Sequence, residues 1–447
     1  MPEVFPFRAV RFNTTNVGEV ALLTTQPYDR IDTDLQQRYY DQHPHNIIRI
    51  IKRKEEEGDS SGMMKYEKGA ETLQEWLKEG AFLQEMKPCI YVYYQTYQTP
   101  QGEKTRKGFS AMVRLQEPGK GRILPHEQTH SGPKIDRFRL LSATKSHTEQ
   151  VFFIYSDPKK KINSILDEAA KREPDIVATD EMGEIHRVWK IMDAATIAAI
   201  QKDIRTRDAI IADGHHRYET SWNYCQEMKK QGRKCEGPET YENILATVVN
   251  MDDEGMSIFG SHRLCYGIPN FDISRLLSQA KEYFDIREYP FSNEEEETFA
   301  QQELVEDLRI EGHQKPCFGV VARGAPAHYL FIVRDAKKLA DRVRSKKSEA
   351  WRSLDVNILH SVVLEEMVGI TPQHLADEDK VEFLRDAGEV IESVLKNEKY
   401  PVAFLVNPIR LETIRKIVSK GERFPQKTTD FYPKLLTGLL LCKLNYV

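Results

Sequence analysis

Three short polar segments interrupt apolar stretches of this sequence with side chains that can do chemistry. Residues 213–217 read DGHHR and follow the apolar run 209–212. Residues 125–130 read PHEQTH, and residues 426–429 read QKTT. Carboxylates can accept protons or bind metal ions, and cationic side chains and hydroxyls can bind phosphate. The three segments are therefore the candidate functional residues.

The segment DGHHR predicts a phosphate site at the start of a helix. A buried strand over residues 209–212 runs into a tight turn at Asp213 and Gly214, and a helix is expected from about residue 215 to residue 230. The first backbone N–H groups of a helix lack intrahelical acceptors and lie at the positive end of its dipole. Gly214 would let a ligand approach the backbone, and Arg217 could bind phosphate with two parallel N–H groups. The alternative is a helix start with a hydrated His-His-Arg face.

The segment PHEQTH follows a strand and offers Glu127 between His126 and His130. A carboxylate at the end of a strand, near cationic groups, suits a general base or a Mg²⁺ ligand. The two histidines have the spacing of the zinc motif H-E-x-x-H, which requires a helix. Pro125 and the Gly-Pro pair at residues 132–133 argue against a helix here. A zinc protease is therefore not expected.

The segment QKTT has the composition of the end of a phosphate-binding P-loop but lacks its glycines, since Gly421 is the only one nearby. Lys427 could still bind phosphate as a point charge, with the hydroxyls of Thr428 and Thr429 as donors. The alternative is a surface turn.

The remaining motifs are less informative. His262 and Arg263 form a pair that could contact a ligand or make an ion pair at a strand end. Tyr28-Asp29 follows Pro27, so it is expected to form a turn, although it could line a cleft. The sequence contains no G-x-G-x-x-G after a strand, no G-x-S-x-G and no set of protein-kinase motifs.

Length and composition limit the classes of protein to which this chain can belong. The chain has 447 residues, 40% hydrophobic and 30% charged, with a net charge of -5. This length suggests two or three domains, and the acidic balance is unfavourable for sequence-independent DNA binding. No run of 18 apolar residues and no signal peptide are found, so we expect a cytoplasmic protein. The six scattered cysteines form no C-x-x-C pair, which favours reduced, mostly buried thiols.

The pattern of predicted elements indicates an α/β fold. Apolar runs predict strands over residues 19–24, 46–52 and 243–250, and amphipathic periodicity predicts a helix over residues 380–396. Such elements divide the chain into three regions. Residues 1–108 are an N-terminal α/β region of unknown role, and residues 109–268 carry PHEQTH and DGHHR as a catalytic core. Residues 269–447 are a C-terminal α/β region that contributes the Lys-Thr-Thr segment. These regions must position the three polar segments.

The segment DGHHR resembles the phosphate-binding helix start of the ParB/sulfiredoxin-like superfamily. This resemblance implies a mixed-sheet core of that type within the α/β fold. His215 stands where sulfiredoxins have their cysteine. Sulfinic acid repair needs that thiol, so the redox activity of sulfiredoxin is not implied here.

Within this superfamily the chain is most similar to the archaeal nucleotide-dependent free-serine kinases. The resemblance rests on PHEQ at residues 125–128, DGHHR at 213–217 and PQKTT at 425–429, in the same order. It covers roughly residues 109–435, with long insertions. The whole chain also resembles a bacterial domain-of-unknown-function family through its segments IADGHHRYE and FPQKTTDFYPKL.

The resemblance implies an enzyme that moves a phosphoryl group between ADP or ATP and the hydroxyl of free serine or a similar small metabolite. It implies catalytic roles for Glu127, as the base, and for His215 and His216. Asp213 would help to place Mg²⁺, and His126, His262 and Arg263 would contact substrate. The implied phosphate-binding and nucleotide-binding residues are Asp213, Gly214, His215, His216, Arg217, Lys427, Thr428 and Thr429.

Two alternatives follow from the same resemblance. The reaction could run toward dephosphorylation of phosphoserine, or the protein could be a ParB-like switch that binds and hydrolyses a nucleotide. Residues 260–267, GSHRLCYG, replace an aromatic region of the serine kinases, which leaves serine specificity open. The expected partners are a nucleotide and a small-molecule substrate; a membrane or a nucleic acid is not expected.

Overall fold

The computed structural model describes residues 2–55, 58–59, 61–99, 102–127 and 131–446. The chain forms two compact units. The first comprises Met1–Ser257 with Pro433–Val447, and the second comprises Ile258–Tyr432. The expected boundary after residue 108 falls inside a continuous strand, Gly102–Arg114, so the N-terminal region and the expected core share one sheet.

Strands and helices alternate along both units. The strands are β1 (Val4–Phe5), β2 (Val10–Phe12), β3 (Phe82–Gln84), β4 (Ile90–Thr99), β5 (Gly102–Arg114), β6 (Ile123–Pro125), β7 (Ser146–His147), β8 (Val151–Tyr155), β9 (Ile176–Thr179), β10 (Ile185–Ile191), β11 (Ala209–Asp213), β12 (Asn243–Asn250), β13 (Ser257–Phe259), β14 (His262–Cys265), β15 (Phe284–Pro290), β16 (Cys317–Ala322), β17 (Ala327–Val333), β18 (Val381–Leu384), β19 (Val402–Val406), β20 (Asp430–Tyr432) and β21 (Cys442–Lys443).

The α-helices are α1 (Thr14–Val17), α2 (Val20–Leu23), α3 (Thr33–Gln42), α4 (Ile48–Ile51), α5 (Met64–Lys78), α6 (Ser131–Thr144), α7 (Lys161–Ala169), α8 (Ala194–Ile204), α9 (His215–Lys230), α10 (Ile273–Ala280), α11 (Glu294–Glu311), α12 (Ala336–Arg342), α13 (Glu349–Arg352), α14 (Asp355–Ile358), α15 (Pro372–Asp377), α16 (Ala387–Lys396) and α17 (Leu411–Val418). A 3₁₀ turn lies at Tyr28–Arg30, and a π-helical segment at Leu359–Val368 continues α14.

The first unit is built on a mixed sheet with the strand order β6-β11-β8-β12-β5-β4-β10-β9, to which β1 adds beside β5. The pairs β6–β11 and β8–β12 are parallel, whereas β8–β11 and β5–β12 are antiparallel. Helices accompany this sheet along the chain, so the α/β fold class is confirmed.

The parallel pair β6–β11 positions two of the three polar segments. Ile123 lies opposite Ala209, and Pro125 lies opposite Ile211. Because parallel strands run in the same direction, both carboxyl ends reach the same edge of the sheet. The chain therefore leaves β6 into His126 directly beside the point where it leaves β11 into Gly214.

The apolar face of α9 anchors the helix that starts in DGHHR. Tyr218 packs edge-on against Phe153 of β8, with ring centroids 6.0 Å apart, and Tyr224 packs edge-on against Phe138 of α6. The Tyr218 hydroxyl also donates to the carbonyl of Gln116 at 2.8 Å and accepts from its N–H at 2.9 Å. Burying one such aromatic side chain contributes about 1.5–3 kcal/mol, so the start of α9 is held firmly.

The second unit contains an antiparallel sheet with the order β15-β17-β16-β19-β14-β18. Helices α11 and α16 cover it through buried side chains such as Leu304, Leu308 and Val394, which form one core with Leu330 and Leu405.

Three predictions of secondary-structure elements were wrong. Strands were expected near residues 19–24 and 46–52, but α2 and α4 lie there. One helix was expected over residues 380–396, whereas β18 comes first and α16 begins only at Ala387. Asp386 sets that start, because its side chain accepts a hydrogen bond from the Glu389 N–H.

All six cysteines lie in the described part of the chain and are free thiols; five of them are buried. Among the described residues, no helix is long and apolar enough to cross a membrane.

Candidate active site

A hydrogen bond joins the PHE and DGHHR segments at the carboxyl edge of β6 and β11. The backbone N–H of His126 donates to Nε2 of His215 at 3.2 Å, and the two rings pack edge-on with centroids 4.6 Å apart. Since Nε2 of His215 accepts, the neutral ring carries its proton on Nδ1. His215 is buried, so it links the two strand ends inside the protein.

His126 is fully buried and is neutral at physiological pH. Its Nδ1–H donates to the carbonyl of Ile211 at 2.5 Å. Burial lowers the pKa of His126 to about 4, because the charged imidazolium would lose its hydration. His126 therefore holds β6 against β11, whereas the sequence analysis expected it to contact substrate.

Asp213 lies between two cationic groups. Its Oδ2 accepts from Nη2 of Arg217 at 3.0 Å, and its Oδ1 lies 3.9 Å from Nζ of Lys434. Burial by itself would raise the pKa of Asp213, but Lys434, Arg217 and His215 outweigh that effect and lower it. Asp213 is therefore a carboxylate at all ordinary pH values.

These contacts do not suit Asp213 as a Mg²⁺ ligand, the role that the resemblance implied. Magnesium takes oxygen ligands with near-octahedral geometry and keeps several waters. Here both carboxylate oxygens of Asp213 face cations, the guanidinium of Arg217 and the ammonium of Lys434. A divalent cation at Asp213 would have to displace both, so the residue is better described as a structural anion.

Position 214 requires glycine for two reasons, the conformation of its backbone and the closeness of the Arg217 side chain. It has φ +86°, in the left-handed region that L residues rarely adopt, and it caps α9 without a side-chain hydrogen bond. A Cβ at this position would lie 3.0 Å from Cζ of Arg217. The guanidinium therefore lies directly against the glycine backbone.

Arg217 uses its guanidinium within the protein. One terminal nitrogen donates to Asp213, and the other donates to the carbonyl of Gln150. Burial lowers the pKa of Arg217, but Glu149 and Asp213 raise it further, so the group is a permanent cation. Both terminal nitrogens of Arg217 therefore make contacts within the protein, one to Asp213 of the turn and one to the residue before β8.

Glu127 and His216 are half-buried, whereas Gln128, Thr129 and His130 lie outside the described residues. Glu127 directly follows His126 and is partly exposed, as is His216 beside His215 in the first turn of α9. The structure therefore brings Glu127, His215, His216 and Arg217 to one edge of one sheet.

Lys434 is a site residue that the sequence analysis missed. Its side chain is 13% exposed, and its carbonyl accepts from Nε2 of Gln95 at 2.7 Å. It lies in the same polar island as QKTT, FPQKTTDFYPK, which was the available signal. Its position beside Asp213 depends on the return of residues 433–447 to the first unit.

A second buried polar cluster in the first unit comprises Asp180, Glu184 and His186, whose possible ligand atoms lie within 4.8 Å of one another. Asp180 uses Oδ1 for the N–H groups of Met182 and Glu184, at 2.9 Å each. Its Oδ2 accepts from His186 and from Gln26. These bonds close a turn, so the cluster is explained without a metal.

The QKTT segment lies in the second unit and is held by local bonds. Nζ of Lys427 lies 3.2 Å from Oε1 of Glu378, and both side chains are about half exposed. The Thr428 hydroxyl donates to the carbonyl of Pro425 at 2.7 Å, while Thr429 is half-buried. The Thr428 hydroxyl therefore closes a turn, which was the alternative to phosphate binding.

His262 and Arg263 lie in β14 and serve the second unit internally. His262 accepts the Val406 N–H on Nδ1 at 3.1 Å, and burial lowers its pKa to about 4. Arg263 is fully buried; it donates to Nε2 of His360 at 3.1 Å and to the Lys427 carbonyl at 3.3 Å. The structure thus joins Arg263 to the QKTT turn, although neither member of the pair is exposed for substrate.

The fold and site define a class of protein. It is an α/β protein with a candidate active site at the carboxyl ends of two parallel strands, where a carboxylate, two histidines and the group of Asp213, Arg217 and Lys434 meet. Within that class, the chain belongs to the family described as "Protein of unknown function (DUF1015)", which matches residues 4–357.

Solved structures with some likeness include a free serine kinase variant in complex with ADP, at 12% identity and a TM-score of 0.33, covering 69% of this chain and 84% of the other. A conserved hypothetical protein from Pyrococcus furiosus has 11% identity and a TM-score of 0.32, covering 73% and 90%. SbnI from Staphylococcus aureus, with a C-terminal truncation, has 11% identity and a TM-score of 0.34, covering 73% and 85%.

No curated protein matches the chain. The TM-scores of the solved structures are all below 0.5. The activity of this chain therefore has to follow from its own residues.

Proposed function

We propose that the protein is a phosphotransferase that moves a phosphoryl group between a nucleotide, ADP or ATP, and the hydroxyl of serine or a similar small metabolite. The observation that carries this proposal is the hydrogen bond from the His126 N–H to Nε2 of His215. It links the segment bearing Glu127 to the phosphate-type turn at the start of α9. The proposed general base and the proposed phosphate-binding turn therefore lie at one sheet edge.

Glu127 is the proposed general base. A hydroxyl is a weak nucleophile until a positioned carboxylate takes its proton. In the proposed step, the proton of the acceptor hydroxyl passes to Glu127 and the oxygen attacks the terminal phosphorus. The bond from phosphorus to the donor nucleotide breaks, and the shortened nucleotide leaves. The partial exposure of Glu127 leaves it accessible to a substrate.

The start of α9 is the proposed phosphate-binding half. Backbone N–H groups of its first turn, His216 and Lys434 would face the transferring group, where positioning and electrostatics supply most of the catalysis. Arg217 and Asp213 would keep this turn in place, because their hydrogen bond spans Gly214. They are positioning residues in this scheme, as are His126 and His215.

Lys427, Thr428 and Thr429 stay predicted phosphate-binding residues on the resemblance alone, and no step of the proposed reaction is assigned to them. No step requires a metal ion at Asp213, and the reverse reaction from phosphoserine would use the same groups.

The ordered segments PHEQ, DGHHR and PQKTT support the substrate class, because they resemble those of free-serine kinases and of the ParB/sulfiredoxin-like superfamily. None of the described contacts favours a nucleotide-gated DNA clamp over an enzyme.

The test is phosphoryl transfer followed by phosphorus NMR, with ADP and ATP against a panel of hydroxyl-bearing amino acids. Glu127→Gln should abolish transfer while nucleotide affinity, measured by calorimetry, stays within about twofold, because only the base is lost. Glu117→Gln, an exposed carboxylate in the loop before β6, is the matched control and should retain full activity. Normal transfer by E127Q would refute the base, and inactivity of the native protein toward every acceptor would refute the proposed function.

A further inference from the structure

The N-terminal part of the first unit encloses a cavity of about 500 Å³ that the proposed reaction does not use. Its walls come from the 3₁₀ turn at Tyr28, from α3, α4 and the segment that follows α4, and from α5 and α6. This volume lies within the range of about 300–1,000 Å³ typical of small-molecule sites.

The lining of the cavity is strongly basic. Five cationic side chains contribute to it, against the carboxylates of Glu55 and Asp136. The cationic residues are Lys52, Arg53, Lys54, Lys65 and Arg137. The whole chain has a net charge of -5, so this concentration of positive charge is local. Cationic walls of low dielectric constant favour an anionic ligand.

Lys52 is the clearest sign of an anion site. Its ammonium donates to the carbonyls of Tyr28, at 3.1 Å, and Ile31, so the described partners are neutral oxygens. An ammonium has three N–H donors, which leaves one for a further acceptor. Burial and the neighbouring Arg137 lower the pKa of Lys52, although Asp136, Asp29 and Asp32 act in the opposite direction, and an anion in the cavity would raise it further.

Lys54 and Lys65 add two positive charges that a bound anion could contact. Lys54 donates to the side-chain oxygen of Gln37, which is neutral. Lys65 lies 3.3 Å from Glu55, whose side chain is 85% exposed. Exposed ion pairs of this kind contribute little, so an anion can replace Glu55 with little loss.

Arg137 has its donors committed within the protein, and its charge is balanced by Asp136 and Glu149. It donates to Asp136, to Glu149 at 3.1 Å and to the Ile51 carbonyl at 2.9 Å, and it stacks on the Tyr28 ring at 4.0 Å. These contacts hold Arg137 rigidly in the wall of the cavity. The ligand contacts must then come from the lysines and Arg53.

We propose that this cavity binds a small phosphate-bearing anion. Ammonium groups act as compact point charges that can surround the several oxygens of a phosphate, whereas carboxylates are matched by guanidinium forks. Here three lysines line the cavity against two arginines, and Arg137 is committed to Asp136, Glu149 and a carbonyl. The cavity shares no lining residue with the start of α9, although its Tyr28 wall lies close enough to Arg217 to interact with it electrostatically. The test therefore uses variants at Lys54 and Lys65.

The experiment is calorimetric titration of the full chain with inorganic pyrophosphate, and separately with citrate, at low salt. Pyrophosphate should bind, and Lys65→Ala and Lys54→Ala should each weaken it about tenfold, because each removes a charge-assisted hydrogen bond. Lys78→Ala, an exposed lysine at the end of the same helix as Lys65, is the control and should change nothing. Because the start of α9 is itself a proposed phosphate site, His216→Ala identifies any pyrophosphate bound there, and binding that persists in this variant belongs to the cavity.

Thermal unfolding of each variant distinguishes lost contacts from lost structure. Unchanged pyrophosphate affinity in folded K54A and K65A proteins would overturn the proposal. Citrate binding with the same variant pattern, without pyrophosphate binding, would overturn the phosphate assignment. Loss of binding in H216A alone would place the anion at the start of α9 and would also overturn the proposal.

Discussion

Arg217 donates a hydrogen bond of 3.0 Å from Nη2 to Oδ2 of Asp213, and this bond spans the left-handed residue Gly214. The side chains on either side of the turn therefore hold it closed. Because Arg217 is buried and also donates to the Gln150 carbonyl, its role is to fix the geometry of the helix start. The proposed phosphate contacts then fall to backbone N–H groups, His216 and Lys434.

The first prediction concerns this buried pair. Arg217→Ala should lower the free energy of unfolding of the first unit by about 3 kcal/mol, because the half-buried carboxylate of Asp213 loses its hydrogen-bonded cation and keeps Lys434 at 3.9 Å. Urea denaturation measures the loss. Asp213→Asn with Arg217→Ala should cost less than the sum of the two single changes. Arg205 is an exposed arginine, so Arg205→Ala is the control. If the losses of the two single variants add in the double variant, the pairing of Arg217 with Asp213 is contradicted.

A substitution at Gly214 tests how closely the guanidinium of Arg217 approaches the backbone. Gly214→Ala should destabilise the protein by about 1–3 kcal/mol from the left-handed backbone alone. The contact of its Cβ with Arg217 at 3.0 Å adds to this cost. Gly232→Ala is matched, since Gly232 also has positive φ but has nothing within 4 Å of the added Cβ. Equal losses in the two variants, measured by urea denaturation, would show that the guanidinium moves away freely.

Lys434 is expected to matter for phosphate. Lys434→Met keeps the length of the side chain but removes its charge from beside Asp213. Nucleotide affinity should fall about tenfold, as one charge-assisted contact is worth roughly 1.5–3 kcal/mol. Calorimetry at fixed ionic strength measures this. Lys120→Met, in an exposed loop, should bind as the native protein does; equal affinity in K434M would remove Lys434 from the site.

Two buried histidines should make the free energy of unfolding depend on pH. Burial lowers the pKa values of His126 and His147 to about 4 in the folded protein, from 6.5 when exposed. Between these values the unfolded chain binds more protons, so stability is full above pH 6.5 and falls as the pH drops toward 4. Each histidine contributes at most about 3 kcal/mol.

Urea denaturation between pH 7.5 and pH 5 tests this prediction. His147→Gln keeps a donor for the Asn243 carbonyl, which Nε2 of His147 contacts at 3.0 Å, but it cannot titrate. The variant should be less stable than the native protein at pH 7.5 and should lose less stability on acidification. Parallel pH profiles for the two proteins would show that His147 does not contribute.

The local elements around DGHHR were predictable because each depends on its own segment. Residues 209–212 were expected to form a buried strand and residues 215–230 a helix, and β11 and α9 lie there. The expected strand over residues 243–250 is β12. Apolar periodicity and the Asp-Gly turn carry this information without distant contacts.

Short apolar runs were less informative. Residues 48–51, IRII, favour a strand by composition, yet they form α4, whose isoleucines are packed into the core of the N-terminal part. A four-residue run fits either a strand or a helical turn, so packing decides between them.

The sequence by itself determined the α/β class, the strand–turn–helix at residues 209–230 and the residue types available there, because these follow from local periodicity and turn chemistry. Only the tertiary structure decided what each side chain does. Pairing of β6 with β11 placed Glu127 beside the helix start, and the return of the C-terminal residues brought Lys434 to Asp213. Partners separated by tens or hundreds of residues leave no local pattern, so the internal use of Arg217 and His126 could not be read from their segments.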